Sequence, residues 1–409
     1  MLKTKYLIVG GGMVAGYAAK ELVSLGLKPG ELTIISADSA LPYERPPLSK
    51  GFLSGKDNEA NILINVPDWY REHGIELRLN TVVEHVDPSK KRVRSNTGEE
   101  FGCDYLLLAT GARARRLDCP GNDLRGVFYL RSLQDSETIR TASTGAKTAV
   151  IIGGGFIGME VASVLAQKNI QTTMIVREDR VWSRVFTPAM SAFFEQYYAA
   201  RGVRIVKQAR IAALEGKGKV QAVVLGDSEK LSCDLVVVGV GAVPVTELLE
   251  KAGVAVDDGI VVNEFLEASI PGIYAAGDVA NYPDTIFSKR RRVEHWDNAV
   301  FQGQHWANVV LGERKPFVHV PYFFSDVFDL SYELWGDTNS ASETVIRGDA
   351  RSSSFSVWWL RDKQVAAAFV MNRPDEERQI AQDWIKSRQT VSRERLSEKN
   401  RPILEAVQV

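Results

Sequence analysis

The sequence predicts an α/β protein in which two domains built on parallel sheets interleave and a smaller α+β domain follows at the C-terminus. Three observations carry this expectation. One strand–glycine-turn–helix pattern occurs twice, each copy closes on a second shared motif, and after residue 320 the pattern gives way to a succession of strands.

The first copy of the pattern is Tyr6-Leu7-Ile8-Val9-Gly10-Gly11-Gly12-Met13-Val14-Ala15, and the second is Ala149-Val150-Ile151-Ile152-Gly153-Gly154-Gly155-Phe156-Ile157-Gly158. Each is an apolar strand, a glycine turn and the start of an amphipathic helix, followed by a further apolar strand, Leu32-Thr33-Ile34-Ile35 or Thr173-Met174-Ile175-Val176. Such βαβ units make parallel sheets. In this setting the glycines have specific work. Gly10 and Gly153 permit the tight turn, and Gly12 and Gly155 let a pyrophosphate approach the backbone. Ala15 and Gly158 keep the helix close to the strand, so that helix N–H groups and the helix dipole meet phosphates. Both units are therefore read as Rossmann-like dinucleotide-binding domains. An acidic residue after the second strand should accept ribose hydroxyls; Asp38 fills this position in the first unit and Glu178 in the second. Arg177, beside Glu178, would instead favour a 2′-phosphate, and the balance leans to NADH over NADPH.

The closing echo pairs Cys103-Asp104-Tyr105-Leu106-Leu107-Leu108-Ala109-Thr110-Gly111-Ala112 with Cys233-Asp234-Leu235-Val236-Val237-Val238-Gly239-Val240-Gly241-Ala242. Between the motifs, Lys91 to Phe101 and Lys219 to Leu231 read as hairpins. Two dinucleotide sites in one chain suggest a tightly held flavin and a diffusing pyridine nucleotide. The segment Ile273-Tyr274-Ala275-Ala276-Gly277-Asp278-Val279 indicates which is which. A strand ending in Gly277-Asp278, with a helix N-terminus expected after it, suits a ribityl chain and its phosphate. Residues 1–112 and 244–320 are then the FAD-binding domain, 113–243 the inserted NAD(P)H-binding domain and 321–409 the C-terminal α+β domain. In that last domain strands are expected around Val327–Trp335, Glu343–Ile346, Ser354–Leu360 and Val365–Met371. A helix is expected from Pro374, in its first turn, to Ser387, and the final twenty residues read as a polar, loosely held tail.

Composition narrows the function. A net charge of −1 argues against a bulk electrostatic binder of nucleic acid or membrane surfaces. Lys3 and Lys5 run directly into the first strand, so no signal peptide is expected, and the apolar run from Ala149 to Ala166 is broken by glycines and Glu160. A cytoplasmic monomer or weak dimer is the expectation. The three cysteines, Cys103, Cys119 and Cys233, form no CxxC and read as free thiols. No Cys/His constellation has metal-ligand spacing.

At this point the chain resembles the FAD-dependent pyridine nucleotide-disulfide oxidoreductase superfamily, on the two glycine motifs, Ala109-Thr110-Gly111 and Gly277-Asp278. Disulfide members carry a Cys pair in the helix after the flavin strand. Here that region reads Leu41-Pro42-Tyr43-Glu44-Arg45-Pro46-Pro47-Leu48-Ser49-Lys50, which resembles the branch of ferredoxin and rubredoxin reductases, monodehydroascorbate reductases and apoptosis-inducing factor. The resemblance implies hydride transfer from NAD(P)H to flavin N5, then single electrons to an acceptor. It places Arg45 and Lys50 along the flavin, with Lys50 near N5, and makes Glu160 the carboxylate that pairs with Lys50. Phe156 resembles an aromatic gate that swings aside for nicotinamide. The resemblance also implies flavin contacts for Val83, Arg131, Asp278, Glu294 and His295, and a nicotinamide-side turn at Gly239, Gly241 and Pro244.

For the acceptor the resemblance divides. The stretch Thr187 to Tyr198, the run Tyr322-Phe323-Phe324-Ser325 and Trp335-Gly336-Asp337 look like monodehydroascorbate reductase. Yet Asp326 stands where that family has an arginine for its anionic substrate, and Trp358 stands near its substrate-site tyrosine. A carboxylate there repels an anionic radical. Asp326 and Asn372 instead resemble ferredoxin reductases, and the basic run Lys289-Arg290-Arg291-Arg292 is placed to steer an acidic iron–sulfur protein. Other readings are a slow signalling flavoprotein like apoptosis-inducing factor, an NADH oxidase or peroxidase, and a structural protein with degenerate sites. Near-neutral charge disfavours the nucleic-acid role of the first. The absence of a flavin-side cysteine disfavours the second, and the intact motifs disfavour the third.

Overall fold

A computed structural model describes residues 1–408. The chain divides into two compact units, the first gathering Met1–Arg45, Asn58–Arg113 and Ala242–Pro321, the second Pro46–Asp57, Ala114–Gly241 and Tyr322 onward.

The first unit is organised on the strand Leu2–Val9, which runs parallel to Leu32–Ile35 on one side and to Glu100–Leu108 on the other. Glu76–Arg78 and Ile273–Ala275 extend the parallel sheet at its two sides. The central strands are near-continuously apolar because they are covered on both faces; Leu7, Ile8, Leu106 and Leu107 are fully buried. The expected hairpin is present, with Arg92–Ser95 antiparallel to Glu100–Leu108.

The second unit repeats the design. Thr148–Ile152 lies between Gln171–Ile175 and Leu235–Val238 in a five-stranded sheet in which every pairing is parallel. The second expected hairpin pairs Ala222–Leu225 with Lys230–Ser232. The same unit contains a five-stranded antiparallel sheet, in the order Tyr322–Val327, Leu330–Gly336, Gln364–Met371, Phe355–Arg361 and Glu343–Gly348. The helix Asp375–Ser387 packs against it.

Four local expectations need correction. The stretch Val327–Trp335 is not one strand. A tight turn at Phe328, whose φ is +54°, splits it into a hairpin, and the Phe328 N–H donates to Ser163 Oγ at 2.7 Å. Pro374 is the N-cap of its helix rather than part of the first turn. Gly277-Asp278 lies in a 3₁₀ turn, Gly277–Val279, and is followed by the strand Ala280–Asp284, not by a long helix. Hairpin pairing of that strand with Lys289–Arg291 captures the segment, and the long helix starts only at Trp296. Lastly, the C-terminal stretch is held. Leu396, Ile403 and Ala406 are buried, and the buried Arg347 guanidinium donates to the carbonyls of Leu396, Glu398 and Arg401. With Val391, also fully buried, four apolar anchors are spaced through the polar stretch and dock it. Val409 lies outside the described residues. Among the described residues no helix is long and apolar enough to cross a membrane.

Candidate functional site

The first unit contains a phosphate cradle. Gly10 has φ +117°, and a Cβ there would stand 2.2 Å from the Ala109 carbonyl oxygen, so the turn needs glycine and lies directly against the Ala109-Thr110-Gly111 step. The helix Met13–Ser24 opens at Gly12 with no side chain capping it. Its first-turn N–H groups and positive dipole end are thus left for an anion. The nearest side chain to a Cβ built on Gly12 is the Arg45 guanidinium, at 3.5 Å, which brings a cation to the same place. Arg45 is 5.7 Å from the Tyr43 ring, and Tyr43 donates to Asp38 Oδ2 at 3.1 Å. Asp38 also accepts from the Ala40 N–H at 3.2 Å, so its carboxylate is fixed at the end of the strand with acceptor capacity remaining. Glu44 takes the Tyr17 hydroxyl and, at 2.5 Å, the Trp296 indole N–H, fastening this loop beside His295. His295 is the N-cap of the helix Trp296–Val310, and Glu294 is exposed and bonded to Arg292 at 2.5 Å. Thr110 Oγ1 donates to the Val245 carbonyl at 2.8 Å, and Val83 is buried in its strand. The Asp278 carbonyl accepts from Arg292 at 3.1 Å.

The second unit has the matching turn. Gly153 also has φ +117°, and a Cβ on Gly158 would meet the Gly153 carbonyl oxygen at 2.1 Å, so helix and strand close only on glycine. A Cβ on Gly155 would meet nothing within 4 Å, and the helix Phe156–Gln167 likewise starts with no side-chain cap. Arg177 and Glu178, past the end of the next strand, are exposed. Gly241 has φ +104°, and its carbonyl accepts from the Arg115 N–H at 2.9 Å. The Arg131 N–H donates to Asp135 Oδ2 at 3.0 Å, within the capping group of the helix Leu133–Ser143.

Lys50 and Glu160 meet in this unit. Lys50 Nζ is 2.7 Å from Glu160 Oε1, with side-chain exposures of 17% and 4%. Lys50 Nζ also lies 5.4 Å from the Phe324 ring centroid. Phe156, the first residue of its helix and half-buried, stacks on Phe323 at 5.9 Å with 9° between the planes, and meets Trp182 edge-on. Behind it lies an aromatic cluster of Trp182, Phe186, Phe194, Tyr332 and Phe369. Burial raises the Tyr332 phenol well above its ordinary range, so it stays neutral.

Three acceptor-side features can be placed. Trp358 is fully buried, donates to Ser356 Oγ at 3.0 Å and packs on Trp384, so it presents no face to a substrate. Asp326 is exposed. The basic run is not a free patch. Arg290 donates to the carbonyls of Val262 and Asn281, Arg291 pairs with buried Asp284 at 3.0 Å, and Arg292 pairs with Asp258 and Glu294. The guanidiniums serve as local ties: carboxylates pair with Arg291 and Arg292, while Lys289 and Arg290 remain exposed.

Residues 4–303 match the family model described as pyridine nucleotide-disulphide oxidoreductase. The chain belongs to this family. Residues 322–407 match the reductase C-terminal model. Monodehydroascorbate reductase 2 of Arabidopsis thaliana is 36% identical, with 96% of this chain and 97% of that protein covered. A peroxisomal monodehydroascorbate reductase 1 of Oryza sativa subsp. japonica is 39% identical over 90% of this chain and 82% of its own. Among solved structures, putidaredoxin reductase in its covalent complex with putidaredoxin superposes with a TM-score of 0.95 at 31% identity, covering 99% and 98% of the two chains. The ferredoxin reductase of the CYP199A2 system of Rhodopseudomonas palustris gives 0.93 at 32% identity, covering 99% and 100%.

The reductase is an NAD(P)H-dependent flavoprotein that transfers electrons, with FAD and NAD(P)H as its cofactors. It stands with the relatives that lack a redox disulfide: Cys103, Cys119 and Cys233 are all free. Burial pushes the Cys103 and Cys233 thiols up to about 12, which leaves almost no thiolate at neutral pH. Sequence reading found both halves of the Lys50–Glu160 pair. It missed that two buried serines, Ser49 and Ser325, donate to the same carboxylate. Both stood inside quoted motifs, but one sequence cannot show a pairing across such separations.

Proposed function

We propose that this reductase oxidises NADH and passes electrons singly to a small iron–sulfur protein. When bound, FAD supplies the two-electron to one-electron conversion that the nicotinamide cannot perform. Residues 1–112 and 244–320 hold FAD. Gly10, Gly12 and Ala15 form its phosphate turn, Asp38 meets its ribose, and Arg45 neutralises phosphate. Val83, Ala109, Thr110, Gly111, Arg131, Gly277, Asp278, Glu294 and His295 contribute further contacts. Residues 113–243 hold the nicotinamide nucleotide through Gly153, Gly155, Gly158, Glu178 and Gly241. Lys50 keeps a cation where negative charge develops on the isoalloxazine, and Glu160 fixes that cation in place. Phe156 yields its stacked position to admit nicotinamide. Residues 321–409 form the acceptor-side domain, and the protein works in the cytoplasm as a monomer or weak dimer.

The choice of acceptor rests on Asp326, an exposed carboxylate where an anionic radical would need a cation. The buried Trp358 offers no substitute surface. The second reading, reduction of monodehydroascorbate radical, is favoured by the 36% and 39% identity to reductases of that name. The test is NADH oxidation by the purified yellow protein while the radical is generated in the cuvette, run beside a [2Fe–2S] ferredoxin coupled to cytochrome c. Saturable turnover with the ferredoxin and negligible turnover with the radical is the expected result. Fast, saturable radical turnover would move the assignment to the second reading.

A further inference from the structure

Glu160 is nearly inaccessible, with 3% of its surface exposed, yet it is bonded on both oxygens. Oε1 receives Lys50 Nζ at 2.7 Å and Ser325 Oγ at 2.5 Å, and Oε2 receives Ser49 Oγ. Ser325 is fully buried and Ser49 is 2% exposed, so water does not compete for either hydroxyl. The other acceptor within reach of Ser49 Oγ is the Pro46 carbonyl, at 3.4 Å.

We infer that Ser49 and Ser325 are positioning residues for electron transfer: their hydroxyls lock the Glu160 carboxylate in one plane, and the locked carboxylate holds the Lys50 ammonium at one point. The inference rests on the role proposed for the Lys50–Glu160 pair. The physical need is plain. The last torsion of a glutamate joins sp³ to sp² carbon and has a broad, shallow profile. An ammonium on one oxygen is a point charge and leaves that torsion loose. Donors on both oxygens remove the freedom. A serine hydroxyl is suited because it supplies one donor without adding a second cation that would compete with Lys50 for the carboxylate.

The fold supports the arrangement from two directions. Ser49 ends the 3₁₀ turn Pro46–Ser49, one residue before Lys50, so donor and cation share a rigid local segment. Ser325 sits in the strand Tyr322–Val327, where alternate residues share a face. Phe323, two residues earlier, is the partner that stacks on Phe156. One strand therefore carries both the ring that seats the proposed gate and the hydroxyl that sets the ion pair.

The test uses the full-length FAD-loaded protein with Lys50→Met, Ser49→Ala, Ser325→Ala, Glu160→Gln and Ser325→Ala combined with Glu160→Gln. Flavin content, Tm, the flavin midpoint potential and the stopped-flow rate of reduction by NADH are measured for each. Loss of a donor to a charged acceptor predicts that each serine variant keeps FAD but is reduced roughly 10-fold more slowly. A tenfold weaker reduction equilibrium shifts a two-electron midpoint potential about 30 mV more negative. In the Glu160→Gln background Ser325→Ala should change neither quantity further. A lowered Tm with wild-type rate and potential would overturn the inference and leave the serines as stability donors only. Equal losses with and without Glu160 would overturn it too, since the serine would then act elsewhere. Should Ser325→Ala fail to fold, Ser49→Ala, in the short turn Pro46–Ser49, decides by the same criteria. Lys50→Met separates the two levels. If it leaves rate and potential unchanged, the role of the pair itself falls and the inference with it. If it alone moves them, only the serine inference falls.

Discussion

Glu160 combines near-complete burial with donors on both carboxylate oxygens, which offset the cost of taking it out of water. Glu160→Ala should leave FAD bound, because the carboxylate belongs to the second unit and the phosphate cradle to the first. Flavin reduction by NADH should slow roughly 100-fold, the size expected when a preorganised electrostatic group is lost. Unchanged stopped-flow traces would remove Glu160 from the mechanism. Glu178 is a test of a different kind. Its exposed carboxylate lies past the strand Gln171–Ile175, with exposed Arg177 beside it. Glu178→Gln keeps the amide oxygen as an acceptor but removes the charge that repels a 2′-phosphate. The ratio of kcat/KM for NADH over NADPH should fall about 10-fold, and identical constants before and after would reject the role. Glu178 was singled out because the glycine motif and the strand after it number the positions that follow, and Glu160 through the family resemblance. Ser49 and Ser325 were not, since hydrogen bonding across distant segments has no signature in a single chain.

Elements built on glycine turns were legible, and those decided by pairing partners were not. The glycine at position 158 illustrates the first kind. Gly158→Ala would drive a methyl into the Gly153 carbonyl, so the helix must move off the strand. NADH affinity should drop at least about 10-fold while the protein remains yellow, a loss measurable by titration of the charge-transfer band. Asp234 illustrates a tie between strands. Its carboxylate accepts from the N–H groups of Lys147 and Thr148, at 2.8 and 2.9 Å, and these bonds hold it below its ordinary 3.8. A depressed carboxyl stabilises the fold above its unfolded value, and that contribution disappears as pH falls through the folded one. Asp234→Ala should lower Tm by roughly 2–4 °C at pH 7, with the gap to wild type closing below about pH 3.8. A gap independent of pH would mean that the charge is not what ties the strands. The second kind is illustrated by the hairpin at Phe328 and the strand after Asp278. Their sequences permit other conformations, and the neighbouring strand or Ser163 decides between them.

At the scale of the molecule, duplication made the two nucleotide-binding sheets legible, while the polar composition of the last stretch concealed its docking. The tail ties down through Leu396, Ile403 and Ala406 and through carbonyls that satisfy the buried Arg347, which also pairs with Glu377 at 2.9 Å. Truncation after Gln389 removes the buried Val391, Leu396 and Ile403 along with the carbonyl acceptors of Arg347, and should cost several kcal/mol, at about 1.5–3 kcal/mol for each fully buried aliphatic side chain. Denaturant titration of the truncated protein checks this, and wild-type stability would show that the tail is dispensable. Composition said little about the acceptor, because a net charge of −1 conceals where individual carboxylates stand.

The serine on the hairpin strand has a consequence in time as well as in space. Ser325 lies 165 residues beyond the carboxylate it serves. At ordinary synthesis rates Glu160 emerges from the ribosome on the order of ten seconds or more before its second hydroxyl donor exists. Until then the carboxylate on the helix Phe156–Gln167 has Lys50 and Ser49 but lacks its third donor, so burying it leaves one hydrogen bond unmade. The nucleotide-binding sheets can form as their strands arrive, but the charged centre closes only when the hairpin comes. The order of birth therefore leaves the cluster around Glu160 as one of the last parts of the protein to assemble.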